Sequence, residues 1–239
     1  MMIQLNMPSI LTPYCKRFTK MIDAIIPVWK PVDWTSFDVV KKIRAQIKPA
    51  KVGHTGTLDP FAEGILVLCT GKNTKRVEEF MDKEKEYIAK IQLGVETETL
   101  DSTGKIEKSA NIPRLSEELI KGVLNRFIGD ILQEPPMYSA LKVNGQPLYK
   151  YARKGIDVKR EKRIVNINDI TLIQFTQDSI TIKVACGRGT YIRSLAKDIA
   201  TELNTVGHLV KLVRTRIGEF DENNCIEVKD FPKWLSARA

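Results

Sequence analysis

The stretch from Lys51 to Gly64, reading KVGHTGTLDPFAEG, constrains this chain more than any other. Three glycines and a proline in fourteen residues are incompatible with a regular helix or a central strand. The stretch therefore reads as a built loop, and it runs straight into the apolar, strand-like segment Ile65–Cys69. An ordered loop of about a dozen residues is more often functional than incidental. Asp59 lies at its centre, and Pro60 biases Asp59 away from helical geometry toward an extended backbone. Such a carboxylate either caps a turn or carries chemistry, and spacing alone leaves both readings open.

With 239 residues, 43% of them apolar and 28% charged, the chain has the composition of a globular protein with a proper core. No apolar run approaches the ~20 residues of a membrane span, and no apolar segment of signal-peptide type precedes Lys16 and Arg17. Residues 1–22 read as a loosely ordered extension of a cytoplasmic protein. Cys15, Cys69, Cys186 and Cys225 are widely separated, and neither His54 nor His208 has ligand-like spacing to a cysteine. Zinc is not expected; Cys69 and Cys186 read as buried hydrophobes in a reducing compartment. The net charge is +9, and Lys142 to Arg163 hold eight Lys/Arg against Asp157 and Glu161, so +6 of it falls in 22 residues. Tyr138, Tyr149 and Tyr151 accompany these cations. Basic groups for phosphates and aromatics for bases suit a nucleic-acid contact, and a solvated basic loop is the competing reading.

Along the chain, Ala24–Trp29 reads as an edge strand interrupted by Pro27. Thr35 or Ser36 caps a helix with Val39, Val40, Ile43 and Ile47 on one face. A short helix through Phe80 follows, then a strand from Glu86 to Leu93 that turns Tyr87, Ala89, Ile91 and Leu93 to one side. Residues 94–113 are polar, with a turn at 101–104. Ser116 caps a helix burying Leu119, Ile120, Val123, Leu124 and Phe127. The basic stretch holds a short helix opened by Pro147 and closed by Gly155. Strands at 164–175 and 180–186, a helix over 191–204, a strand at 208–217 and a short helix around Trp234 complete the order. Helices and strands interleave without a βαβ period, which implies an α+β fold on a mixed, mostly antiparallel sheet.

Arg193 falls in the first turn of the 191–204 helix, where a cation faces the positive end of the dipole. A carboxylate partner would compensate, and Asp59 is a candidate; solvent or a phosphate is the alternative. Tyr87 and Tyr191 default to packed tyrosines with satisfied hydroxyls. Gly187 and Gly189 either admit a ligand close to backbone or simply make the turn. The chain has no dinucleotide fingerprint, P-loop, serine-hydrolase elbow or HExxH, so nucleotide-cofactor, serine-hydrolase and zincin chemistry find no support.

The residues from Gly53 to Leu66, GHTGTLDPFAEGIL, closely resemble the catalytic motif of the TruB family of tRNA pseudouridine synthases. Three further blocks agree in order: Lys85 to Tyr87, then Met137–Lys142 with Leu148–Arg153, and Gly189–Arg193. Arg214 and Arg216, with Gly218, resemble the family's closing basic strand, so the likeness spans residues 24–220. It implies the pseudouridine synthase fold, two halves of a bent mixed sheet around a cleft, within a catalytic domain over 23–239. It implies isomerisation of uridine-55 in the T-loop of tRNA, with no cofactor or metal. Asp59 would be the catalytic aspartate, Tyr87 would stack on the uracil, and Arg193 would pair with Asp59. Tyr191 would support that pair, Leu212 would pack near the base, and His54 would fill the gap left by the flipped nucleotide. Gly53, Thr57 and Lys30 complete the expected substrate contacts. Residues 135–163 correspond to a thumb-like insertion, so Lys142, Lys150, Arg153, Lys154 and Arg163, with Arg214 and Arg216, are the expected RNA contacts.

Two departures stand out. The family's usual Asp-Lys-Pro is reduced here to Lys30-Pro31. The 22 residues after Ile217 are too few for the RNA-binding PUA domain usual in the family. The expectation is a monomer without protein partners that binds tRNA through catalytic domain and thumb, with a steep salt dependence. A guide-RNA-dependent synthase of the dyskerin type and a non-catalytic tRNA-binding module are the alternatives.

Overall fold

The computed structural model describes residues 22–47 and 51–238. Apart from Ile22, the expected N-terminal extension lies outside the described residues. The order is β1 (Ile25–Lys30), α1 (Ser36–Arg44), β2 (Val52–His54), β3 (Glu63–Thr70), α2 (Val77–Met81) and β4 (Lys85–Leu93). Next come β5 (Val95–Thr97), β6 (Ile106–Ser109), α3 (Glu117–Asn125), β7 (Gly129–Gln133), β8 (Lys142–Val143), β9 (Gln146–Pro147) and α4 (Leu148–Ala152). The chain closes with β10 (Arg163–Phe175), β11 (Ser179–Cys186), α5 (Ile192–Glu202), β12 (Gly207–Ile217), β13 (Ile226–Glu227) and α6 (Phe231–Ser236).

Nine strands form one sheet in the order β13-β1-β3-β12-β4-β11-β10-β7, with β2 paired to β3. Among the described strands only β1–β13 and β3–β12 pair in parallel, as the mixed α+β reading requires. The β3–β12 junction is two residue pairs long, Val213 with Glu63 and Arg214 with Gly64. It joins a half covered by α1 and α6 to a half covered by α3 and α5. Leu66 and Leu68 point into the α1/α6 core while Ile65 and Val67 pack with Ile217 on the other face. Burial on both faces accounts for the unbroken apolar run. Gly64 has φ +117°, and a Cβ there would sit 2.3 Å from the Arg214 carbonyl oxygen. Gly64→Ala is therefore expected to lower unfolding free energy by about 2–3 kcal/mol in a denaturant titration; an unchanged midpoint would contradict this close approach.

Several expectations need correction. The glycine-rich stretch is not all loop: Val52–His54 pairs with β3, and β3 starts at Glu63, because edge pairing tolerates glycine where a central strand does not. Val28 and Trp29 of β1 pair with β13, so β1 is an edge only in part. The polar stretch 94–113 folds into the β5–β6 hairpin, and β7 adds an outer strand with weak alternation. Leu119 is exposed rather than on the buried face of α3.

Candidate active site

Residues 55–62 form a loop held from several sides. The Ser36 hydroxyl donates to the Leu58 carbonyl at 3.2 Å and accepts from the Leu58 N–H at 2.9 Å. Thr35, not Ser36, caps α1, in a reciprocal box with Asp38, which leaves Ser36 free for this contact. The Asp33 N–H donates to the Pro60 carbonyl at 2.8 Å, and the Lys30 ammonium approaches the same oxygen at 3.4 Å. Arg214 donates to the carbonyls of Ile65, Thr57 and Gly56 at 2.7, 3.4 and 3.3 Å. These bonds carry Asp59 on a rigid support although its loop has little regular structure.

Asp59 meets Arg193 in a two-pronged pair, Nε to Oδ2 at 2.8 Å and Nη2 to Oδ1 at 3.0 Å. The remaining Arg193 donors reach the carbonyls of Thr99 and Tyr138, both at 2.9 Å. Asp101 Oδ2 lies 3.6 Å from Nη1, while its Oδ1 accepts from the hydroxyls of Thr99 and Thr103. Arg193 thus joins the Asp59 loop, the β5–β6 turn and the root of the basic insertion. Two carboxylates offset the unfavourable position of this cation at the start of α5. The Arg193 side chain is 4% exposed against 31% for Asp59. The pair is pinned from behind while the carboxylate still faces open space.

That space is a cleft of about 270 Å³ whose walls include Thr57, Asp59, Tyr87, Tyr191, Arg193 and Leu212. Tyr87 is buried, and burial raises its phenol pKa while the neighbouring Arg214 guanidinium pulls the other way. Tyr191 caps α5, its N–H donating to Gln133 Oε1 at 2.8 Å. Burial raises its hydroxyl pKa as well, against the opposing pull of the Ser139 hydroxyl.

Gly53, His54 and Lys30 stay outside the cleft walls. Gly53 and His54 lie in β2, and burial, with Arg214 second, lowers the His54 pKa. Lys30 is fully buried, its ammonium bound to the carbonyls of Pro31, Trp34 and Pro60, so it helps to shape the loop. Burial lowers its pKa from 10.5 to about 8. The unfolded chain therefore binds the proton more tightly, and the Lys30 penalty is relieved as pH rises from 8 toward 10.5. Wild type is expected to gain stability relative to Lys30→Met between pH 8 and 10 in parallel melts; a constant gap would contradict this burial.

Of the expected RNA contacts, Lys142, Lys150, Arg153, Lys154 and Arg163 are exposed. Arg214 and Arg216 are not free surface cations. Arg214 is 1% exposed, and Arg216 pairs with Glu84 at 2.5 Å. Arg214 is buried because β12 is a central strand, whereas Arg216 stays one-third exposed and is held by its ion pair. Asp101, Lys85 and Ser36 are site neighbours that the sequence reading passed over. Asp101 reads as a turn residue and Ser36 as a cap until the fold shows what each faces. Among the described residues no cluster of three or more His, Cys, Asp or Glu side chains could hold a metal.

Residues 42–192 match the TruB family pseudouridylate synthase N-terminal domain, and 193–238 match the tRNA pseudouridylate synthase B C-terminal domain. The boundary falls between Ile192 and Arg193, so the site draws side chains from both segments. The tRNA pseudouridine synthase B of Phocaeicola vulgatus is 47% identical over 212 residues, covering 86% of this chain and 90% of the relative. That of Francisella tularensis is 48% identical over 200 residues, covering 83% of this chain and 66% of the relative. A chain of a Cbf5-Nop10-Gar1 complex superposes with a TM-score of 0.68 at 28% identity, covering 90% of this chain and 56% of that one. The reaction is the isomerisation of uridine to pseudouridine, and the chain belongs to the TruB family of pseudouridylate synthases.

Proposed function

We propose that this enzyme converts uridine-55 in the T-loop of tRNA to pseudouridine, with Asp59 as the catalytic carboxylate. The observation that carries the reading is the two-pronged Asp59–Arg193 pair at the wall of a cleft shared with Tyr87. Breaking the C1′–N1 bond develops positive charge at C1′, and an ionised carboxylate there can attack that carbon or balance the charge. Arg193 holds both carboxylate oxygens in place at the cleft wall. The uracil then turns, C5 bonds to C1′, the C5 proton leaves and N1 takes one up. Tyr87 is the stacking surface for the base, and Leu212 and Tyr191 bound the space in which it turns.

A cleft of this size admits a base only after it leaves its stack, and a loop gives up a base at lower cost than a duplex. The basic insertion 135–163 is the thumb that grips the T arm. Its ends are clamped by Arg160, whose Nη2 lies 3.0 Å from the Glu134 carboxylate. Arg153 lies over the Tyr149 ring at 5.4 Å from its centre, a pair suited to a base or a phosphate. Reversing charge at Arg153 and Lys154 is expected to weaken tRNA binding about tenfold or more at 100 mM salt and to flatten its salt dependence. Unchanged affinity with an unchanged far-UV spectrum would rule the thumb out.

The protein acts as a cytoplasmic monomer without protein partners, within one catalytic domain spanning 23–239. The relatives at 47–48% identity are named tRNA pseudouridine synthase B, which favours this reading over guide-RNA dependence. Retention of Asp59, Tyr87 and Arg193 around one cleft weighs against a non-catalytic tRNA-binding module. Tritium release from C5-labelled uridine in tRNA tests it: the purified protein alone is expected to release label from position 55, and no release without guide RNA would refute the proposal.

A further inference from the structure

Three buried cations at the Asp59 loop or the cleft have no carboxylate within 4.0 Å among the described residues: Lys30, Lys85 and Arg214. Each is satisfied by neutral backbone oxygens. Lys30 is accounted for by its hold on the loop, and it does not line the cleft. Lys85 and Arg214 do line it. The Lys85 ammonium is bound by the carbonyls of Met81 and Lys83. Burial, then the charge of Arg214, pushes its pKa down to about 8.

A buried cation held only by carbonyl dipoles is costly. Buttressing the loop does not require one, since the neutral hydroxyl of Ser36 makes two bonds to Leu58. Arg214 is also the residue opposite Tyr87 on the adjacent strand, so its charge is built into the cleft wall at that position. The arrangement is that of a cation awaiting an anion. Arg214 lines the cleft yet is only 1% exposed, which leaves it out of reach of a backbone phosphate but able to act by its charge on a group inside the cleft.

We propose that Arg214, seconded by Lys85, stabilises negative charge on the detached uracil, as the counterpart of Asp59 at the sugar. The inference rests on the isomerase reading above. When the C1′–N1 bond breaks, its electron pair stays on the base and spreads over N1 and the two carbonyl oxygens. When C5 bonds to C1′, the ring supplies the electrons, the C5 proton leaves and N1 is protonated, so substrate and product are isomers. Arg214 is a positioning residue in this scheme: it need not touch the base, because a fixed charge a few ångströms away acts strongly where water is excluded.

The test compares Arg214→Gln with wild type on two tRNA transcripts, one with uridine and one with 5-fluorouridine at the target position. Fluorine withdraws electrons and stabilises the departing base by itself. Single-turnover loss of the N1-linked nucleoside, read by mass spectrometry of nuclease digests, is expected to slow about 10²–10³-fold on uridine. On 5-fluorouridine the slowing is expected to be smaller by about tenfold or more, with tRNA affinity nearly unchanged. If Arg214→Gln melts too low to assay, the comparison is made on Arg214→Lys, which keeps a cation and is expected to show the same inequality at smaller amplitude. Equal slowing on both substrates would reduce Arg214 to a structural buttress and overturn the inference. A wild type inert on uridine would reject the isomerase reading itself.

Discussion

Asp59→Asn is expected to abolish pseudouridine formation, lowering the single-turnover rate by about 10⁴-fold or more, as loss of an essential carboxylate does in other enzymes. Asparagine keeps the size and one acceptor oxygen but cannot carry the charge that the sugar centre calls for. The fold is expected to survive. Asp59 is partly exposed, its loop is held mainly by Ser36, Asp33, Lys30 and Arg214, and Arg193 retains Asp101 at 3.6 Å. Rapid-mix assays with labelled tRNA, alongside filter binding and a thermal melt, check all three statements. A variant that forms pseudouridine at a tenth of the wild-type rate or faster would remove Asp59 from the chemistry.

Arg193→Lys is the second large effect, and it separates charge from geometry. A lysine supplies the cation but cannot span both Asp59 oxygens and the carbonyls of Thr99 and Tyr138 together. The carboxylate is then left free to rotate, and two carbonyl oxygens lose their donors. The rate is expected to fall about 10²–10³-fold. Stability is expected to fall by about 3 kcal/mol, the scale for disrupting a buried ion pair. Because Arg193 is buried, tRNA affinity should stay within a few-fold of wild type. A rate within threefold of wild type would mean that charge alone suffices and that the two-pronged geometry is incidental. A large loss of affinity would place Arg193 in binding instead.

The parts of the site that the sequence makes legible are those written in local rules. Asp59 stands out because glycine and proline leave its segment no regular structure. Arg193 stands out because a cation in the first turn of a helix asks for an anion. Tyr87 falls on the buried face of β4 by strict alternation, as do Ala89, Ile91 and Leu93. What stayed hidden depends on which strands lie side by side. Of Arg214 and Arg216, read as RNA contacts on a basic strand, Arg214 is drawn in because β12 is central, and Arg216 is taken up by Glu84. Lys30, read as a substrate contact, spends its charge on three carbonyls. Asp101 and Ser36 look like ordinary turn and cap residues until the fold brings Arg193 against one and Leu58 against the other.

By itself, the sequence determined the helices and the longer strands, the α+β class, the loop that carries Asp59 and the family. These follow from hydrophobic period, turn chemistry and motif order, all of which act over a few residues. Only the tertiary structure decided which cations are spent inside and which remain outside for RNA. A charge's role depends on burial and on partners up to 158 residues away, as with Arg214 and Gly56. Neither burial nor such a partner is encoded within a short window of chain.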